Sequence, residues 1–171
     1  YYLKHRLDNG ILDEMSLCEF LDKITAFIWA YAITNPGVNS LRTPVYSEMI
    51  NIIDDRPVEF EKYKFDLTSL SVAFENYEFK NNRPITKSML TWWLMQHNEQ
   101  ILPDLETTFE LEHIYAKNRN EKEKSLKVPG KVESLGNKAV LEKRINIRAS
   151  DYRFEDKKKY YQGYTTLKGI E

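Results

Sequence analysis

The sequence predicts an α+β protein that is mainly α, with a helical N-terminal part packed on a small C-terminal unit of two strands and a helix. Apolar residues recur at helical spacing through most of residues 11–97. After them come two short runs with strand character and one more helical pattern. We therefore predict a helical linker or scaffold over residues 1–106 and a separate strand-and-helix unit over residues 107–171.

Four amphipathic helices are predicted in the N-terminal part. The first carries a broad apolar stripe, and the segment Asn35-Pro36-Gly37 ends it. Thr86 is in a position to cap the fourth helix. A polar linker that contains Pro103 follows, over residues 99–106. The four predicted helices are residues 11–33, 44–53, 66–79 and 87–97.

The fourth predicted helix contains two adjacent tryptophans, Trp92 and Trp93. Neighbouring residues cannot lie on the same face of a helix, so the two indoles point in different directions. Packing in a helical core is the favoured interpretation, and stacking on nucleic-acid bases is the alternative.

The C-terminal unit begins with a run that alternates polar and apolar residues, 108–112, and His113 follows it directly. A polar loop over residues 117–130 leads to a second strand-like run, 138–141. Residues 142–150 then have helical character, because Ile145 and Ala149 are four residues apart on one face. The predicted order is strand, loop, strand, helix.

This order brings Glu112, His113 and Asn146 into one compact unit. Neighbours on a strand point to opposite faces, so Glu112 and His113 can both face one site only where the strand ends and twists. A carboxylate and an amide oxygen are hard ligands that suit Mg²⁺ or Mn²⁺. A histidine beside such an ion can act as a general base on water.

Short motifs in this region resemble the HNH nuclease superfamily, whose fold is the ββα-metal unit. More narrowly, they are similar to the C-terminal nuclease domain of GmrSD-type, modification-dependent restriction proteins. One position departs from that family, which usually has proline where this chain has Ala116. The matching residues are Glu112-His113-Ile114, Gly136-Asn137, Asn146, Phe154 and Lys157.

The resemblance implies a metal-dependent DNA endonuclease that hydrolyses phosphodiester bonds as part of a phage-defence or restriction protein. Glu112 and Asn146 would then hold the divalent ion, and His113 would activate water. Asn137 would help to orient His113 and the hairpin.

The resemblance also concerns the DNA and a further domain. A Phe-x-x-Lys segment lies on the helix after the metal helix in that family, so Lys157 is expected near a DNA phosphate. Lys158 and Arg148 are the other predicted DNA-binding residues. Proteins of this kind carry an N-terminal ParB-like domain, joined by a helical segment, which would be a partner within the full-length chain.

Charge and composition agree with this interpretation. The formal net charge is only -1, but residues 112–171 have an excess of Lys and Arg while the preceding part is acidic. A locally basic surface favours a polyanionic partner such as DNA, although a solvated surface of mixed charge is the simpler alternative. The single cysteine excludes an internal disulfide and a zinc site built on paired cysteines.

The sequence contains no signal-peptide pattern and no apolar run of membrane length. The chain starts on Tyr1, without Met, inside sequence that looks structured. The expectation is therefore a fragment of a longer cytoplasmic protein, with no membrane partner.

Each motif has an ordinary alternative explanation when it is taken alone. Glu-His pairs are common on exposed strands, Gly-Asn is usually a turn, and an asparagine in a helix is usually on the surface. Their order and spacing together favour the nuclease. The second hypothesis is a non-catalytic DNA- or partner-binding module with a degenerate HNH fold.

Overall fold

The computed structural model describes residues 1–37, 39–97 and 106–161. These residues form eight α-helices and one two-stranded antiparallel sheet, so the predicted α+β class with mainly helical content is confirmed. The chain divides into two compact units, Tyr1–Tyr77 and Glu78–Glu171, and each is considered by itself.

The first unit is entirely helical in its regular structure. The predicted helices over residues 11–33, 44–53 and 66–79 are confirmed to within a few residues, whereas α1 was not predicted. The helices are α1 (Tyr2–Asp8), α2 (Glu14–Thr34), α3 (Arg42–Ile53) and α4 (Leu67–Asn76).

Aspartate caps fix the starts of two of these helices. The carboxylate of Asp13 accepts a hydrogen bond of 2.9 Å from the backbone N–H of Ser16 at the start of α2. Asp66 accepts one of 2.7 Å from the N–H of Ser69 at the start of α4. Each bond satisfies a first-turn N–H group that has no partner within the helix.

Aromatic stacking dominates the core of the first unit. The rings of Phe27 and Phe60 are nearly parallel, with centroids 3.6 Å apart. Ile52 and Val58 are buried with them. Phe60 has a positive φ of 50°, which is uncommon for a residue other than glycine, so packing of its ring holds the backbone there.

The second unit surrounds the small sheet. Helix α5 packs against β2, and α7 packs against both strands and against α8. Two short 3₁₀ turns, Pro129–Glu133 and Leu135–Asn137, precede β2. The elements are α5 (Pro84–Met95), β1 (Phe109–His113), α6 (Lys117–Glu123), β2 (Lys138–Glu142), α7 (Lys143–Ala149) and α8 (Phe154–Tyr161).

The register of the sheet decides which side chains can meet. Phe109 pairs with Glu142 at one end of the sheet, and His113 pairs with Lys138 at the other. Side chains alternate between the two faces of a strand, so Glu110 shares a face with Glu112, and His113 lies on the opposite face.

The structure corrects several details of the sequence prediction. Thr86 does not cap α5, because the helix begins at Pro84 and the buried Thr86 hydroxyl donates to the backbone oxygen of Lys80 at 2.9 Å. Proline is well suited to a first helical position, because its missing N–H would have no partner there. The prediction of a polar loop over residues 117–130 was also wrong in part, because this segment contains α6.

Core packing was the wrong interpretation for Trp93, which is 63% exposed, and Trp92 is covered only in part. The predicted linker lies outside the described residues except for Glu106. The boundary between the helical linker region and the strand-and-helix unit, at residue 106, stays a prediction. The two compact units of the structure divide after Tyr77. In the parts of the chain that the structure describes, no helix is both long and apolar enough to cross a membrane.

Replacing Phe27 by Ala should lower the free energy of unfolding by about 3–5 kcal/mol, because it leaves a cavity against Phe60. Urea unfolding followed by circular dichroism measures the change. Met15→Ala is the matched control, since Met15 lies on the same helix and is 74% exposed. Equal losses in the two variants would contradict the assignment of Phe27 to the core.

Candidate active site

Glu112 lies near the end of β1 and is buried, and a helix that follows much later supplies its partners. Lys157 on α8 forms an ion pair with Oε1 of Glu112 and donates to the backbone oxygen of His113 at 2.7 Å. The Tyr161 hydroxyl donates to the same Oε1 at 3.1 Å. Burial and the neighbouring carboxylate raise the pKa of Tyr161, so its hydroxyl keeps its proton.

The Lys157 side chain is completely buried, so its stem and its ammonium group are part of the protein interior. The ion pair and the bond to the His113 carbonyl together fix α8 against the end of β1. A contact between Lys157 and a DNA phosphate, as expected from the sequence, would require this ammonium group to leave its internal partners.

His113 lies at the end of β1 and faces a different set of groups. Its Nε2 lies 3.1 Å from Oε2 of Glu133, and it also contacts Nζ of Lys138. Lys138 donates to the same Glu133 oxygen at 2.6 Å and to Oδ1 of Asn81 at 2.8 Å. These four residues form a polar cluster in which Glu133 and Lys138 are buried, His113 is partly buried and Asn81 is exposed.

The electrostatics of this cluster keep the imidazole neutral. Burial lowers the pKa of His113, and the nearby Lys138 charge lowers it further, against the opposing effect of the bond to Glu133. Burial disfavours the Glu133 carboxylate, but hydrogen bonds from Lys138 and His113 outweigh it, so the pKa of Glu133 is lowered overall. Burial also lowers the pKa of Lys138.

Asn137 holds together the hairpin connection that follows His113. Its Oδ1 accepts from the N–H of Tyr115 at 2.7 Å, and its Nδ2 donates to the oxygens of Tyr115 and Val132 at 3.0 and 2.8 Å. Its backbone oxygen accepts from the N–H of Ile114 at 2.9 Å. Both polar atoms of the amide are therefore used, and the amide fixes the segment around Tyr115 that follows His113.

Asn146 lies on α7, half-buried, on the Glu110 side of the sheet. Its Nδ2 donates to Oε2 of Glu110 at 2.7 Å. Its Oδ1 is buried and has no hydrogen-bond partner. Such atoms are rare in folded proteins and call for an explanation, because an unpaired buried acceptor costs free energy.

The three residues that the sequence predicted to converge are thus close in the fold but have different partners. Glu112 contacts α8, His113 contacts Glu133, and Asn146 contacts Glu110. No hydrogen bond joins any two of their side chains within residues 106–161. Convergence of the three around one ion stays a prediction.

The predicted DNA-binding residues other than Lys157 lie at the surface. Arg148 is exposed on α7. Lys158 is partly exposed, pairs with Glu155 and lies over the ring of Phe154, with Nζ 5.4 Å from the ring centroid.

Sequence reasoning missed five residues that contact the predicted site. Glu110 could have been found, because it precedes Glu112 by two positions on an alternating strand and must share its face. The remaining four come from distant positions and carry no local pattern that marks them. They are Asn81, Glu133, Lys138 and Tyr161.

The donor set suits a hard divalent cation. Among the described residues, no group of three or more His, Cys, Asp and Glu side chains is arranged to hold a metal ion, so a site here needs the asparagine amide as a ligand. The buried Oδ1 of Asn146, which has no hydrogen-bond partner among the described residues, is an oxygen donor of that kind. Amide and carboxylate oxygens are the donors that Mg²⁺ and Mn²⁺ favour.

One known protein family matches more than half of the chain. The model of the C-terminal domain of GmrSD restriction endonucleases matches residues 60–168. The chain belongs to this family. No curated protein and no solved structure matches it. The GmrSD C-terminal domain match covers the whole strand–turn–strand–helix region described above, so this region is part of a restriction endonuclease family.

Replacing Lys157 by Met should lower the free energy of unfolding of this GmrSD-type domain by about 3–5 kcal/mol, because Glu112 would remain buried without its cation. Thermal or urea unfolding measures the effect. Lys158→Met is the matched control, as the neighbouring lysine is partly exposed. If Lys157→Met unfolds like the control, the ammonium does not hold α8 in place.

Proposed function

We propose that this chain is a metal-dependent DNA endonuclease domain of the HNH type, which hydrolyses phosphodiester bonds. The observation that carries the proposal is the buried and unpartnered oxygen of Asn146, on the helix that follows the hairpin bearing Glu112 and His113. An unused hard donor at that position is what a divalent-cation site requires.

Glu112 and Asn146 would hold the ion. Both hydrogen bonds to the Glu112 side chain go to Oε1, and within the described residues its Oε2 takes part in none. Asn146 likewise has its nitrogen bonded and its oxygen unused. The chemistry that Mg²⁺ or Mn²⁺ supplies when bound is polarisation of the phosphate and stabilisation of charge on the leaving oxygen.

His113 takes the proton from the attacking water. When Nε2 of His113 donates to the carboxylate of Glu133, Nδ1 keeps the free lone pair that a general base requires. The lowered pKa of His113 keeps that lone pair available at neutral pH. Asn137 supports this role by fixing the turn directly after His113.

Exposed basic residues on α7 support binding to the DNA backbone. Lys143, Arg144 and Arg148 line one surface depression together with Thr107 and Thr108. Lys158 adds a further charge from α8. Lysine and arginine that meet phosphates release counterions, which gives affinity without sequence preference.

A restriction role further implies a cytoplasmic protein of phage defence, in which an N-terminal ParB-like domain of the full-length chain selects the DNA. The second candidate is a non-catalytic DNA- or partner-binding module with a degenerate HNH fold. One observation favours it: Lys157 already neutralises Glu112, and an ion pair of this kind can be purely structural.

Cleavage separates the two candidates. The purified chain should nick plasmid DNA with Mg²⁺ or Mn²⁺, and His113→Ala should reduce the rate by roughly 10²–10⁴-fold, the usual contribution of a general base. Glu112→Ala should lose metal binding together with activity. His5→Ala is the control, because His5 bonds to Asp55 in the first unit.

Equal rates for the unaltered chain and His113→Ala, with both metals, would remove His113 from the mechanism. No cleavage with either metal by this chain and by the full-length protein would favour the binding module.

DNA affinity should fall steeply with added salt, and replacing Arg148 and Lys158 by Ala should weaken binding. The salt slope should also become shallower, by about one for each DNA phosphate that the variant no longer neutralises. Fluorescence anisotropy with a labelled duplex over a salt series measures both quantities. Lys4→Ala is the control, because Lys4 is exposed and pairs with Asp8 on α1. An unchanged slope would assign Arg148 and Lys158 to the solvated surface.

A further inference from the structure

We propose that Glu110 is a positioning residue for the metal ligand Asn146, and that its hydrogen bond forces the amide oxygen of Asn146 towards the ion. The inference rests on the proposed function and adds a residue to it. The juxtaposition that carries it is the 2.7 Å bond from Nδ2 of Asn146 to Oε2 of Glu110, together with the buried, unpartnered Oδ1.

The chemistry of the two side chains fixes the direction of the amide. An ionised carboxylate has no hydrogen to donate, so only the nitrogen of the amide can face it. The oxygen must then point the other way, where it is buried and accepts no hydrogen bond from the described residues. Without Glu110, the amide could rotate by half a turn and present its nitrogen, which cannot bind a cation.

The strand places Glu110 for this task. Glu110 and Glu112 are two positions apart on β1, so both side chains project from the same face. Helix α7 packs against β1 and carries Asn146. One strand would therefore provide a direct ligand, Glu112, and the residue that orients the second ligand.

The arrangement matches a general feature of metal sites. Groups that hydrogen-bond to a ligand set its orientation, and their loss commonly costs about 10–100-fold in metal affinity. Glu110 also contributes negative charge near the site, whereas the charge of Glu112 is already paired with Lys157. An experiment must therefore separate the hydrogen bond from the charge.

Two double variants make that separation. In Glu110→Gln with Asn146→Asp, the new Gln can donate to the new carboxylate and leave its second oxygen for the ion, so the bond is kept with its direction reversed. In Glu110→Ala with Asn146→Asp, the net charge is the same but the hydrogen bond is absent. A role through charge alone predicts equal metal affinity for the two.

Mn²⁺ affinity of the whole 171-residue chain, measured by electron paramagnetic resonance, is the readout, and urea unfolding monitors the fold. Glu110→Ala should weaken Mn²⁺ binding by about 10–100-fold, because the amide of Asn146 then loses the acceptor that orients it. The Gln/Asp pair should return close to the original affinity, and the Ala/Asp pair should not. Glu121→Gln, an exposed carboxylate on α6, should change nothing.

Each result that would contradict the positioning role of Glu110 has a consequence of its own. Unchanged Mn²⁺ affinity in Glu110→Ala, or equal affinity of the two double variants, overturns the positioning role while the proposed function stands. Loss of binding in Glu110→Ala but not in Asn146→Ala makes Glu110 itself the ligand and also overturns it. Absence of Mn²⁺ binding by the unaltered chain overturns the proposed function, and this inference with it.

Discussion

The second unit depends on the ion pair and the hydrogen bond that the buried ammonium group of Lys157 makes. This group is bonded to the carboxylate of Glu112 and to the carbonyl of His113, so one side chain fixes two consecutive residues at the end of β1. A buried charge is tolerated when it is paired and hydrogen-bonded, and the Lys157 ammonium donates to one carboxylate and one carbonyl. The position of α8 follows from that requirement, because Lys157 and Tyr161 are one helical turn apart and reach the same oxygen.

A second regularity concerns how the polar side chains are used. Glu112, Asn146 and His113 each have one atom held by the protein: Oε1 by α8, Nδ2 by Glu110 and Nε2 by Glu133. Fixing one end of a side chain removes rotational freedom from the other end. Preorganisation of this kind is a common requirement of catalytic sites, because side chains that are already oriented need no rearrangement during the reaction.

The fold could be predicted from the sequence largely because its signals are local. Hydrophobic periodicity located α2, α3 and α4 to within a few residues. Alternation located β1, and a short strand-like apolar run located β2. The exposure of Trp93 could not be predicted, because apolar residues at helical spacing do not show whether another element covers each of them.

Short motifs in the sequence proposed the members of the candidate site but gave no information about their hydrogen-bond partners. Glu112, His113 and Asn146 were found from short motifs, whereas the buried position of Lys157 depends on a contact between residues 45 positions apart. Lysine is usually exposed, so a run of three lysines gives no sign that the first of them is inside. Glu133 was missed because it lies 20 positions from His113, and only the fold brings it to the imidazole.

The unpartnered oxygen of Asn146 also bears on how natural selection acts on this position, because stability and activity would favour different residues there. A buried acceptor without a donor costs about 1–3 kcal/mol, so an apolar residue at this position could make the fold more stable. Proteins commonly keep such defects where activity depends on them, and stabilising substitutions there tend to cost function. If the proposed function is right, the amide oxygen of Asn146 is one place in this chain where stability and activity are in conflict.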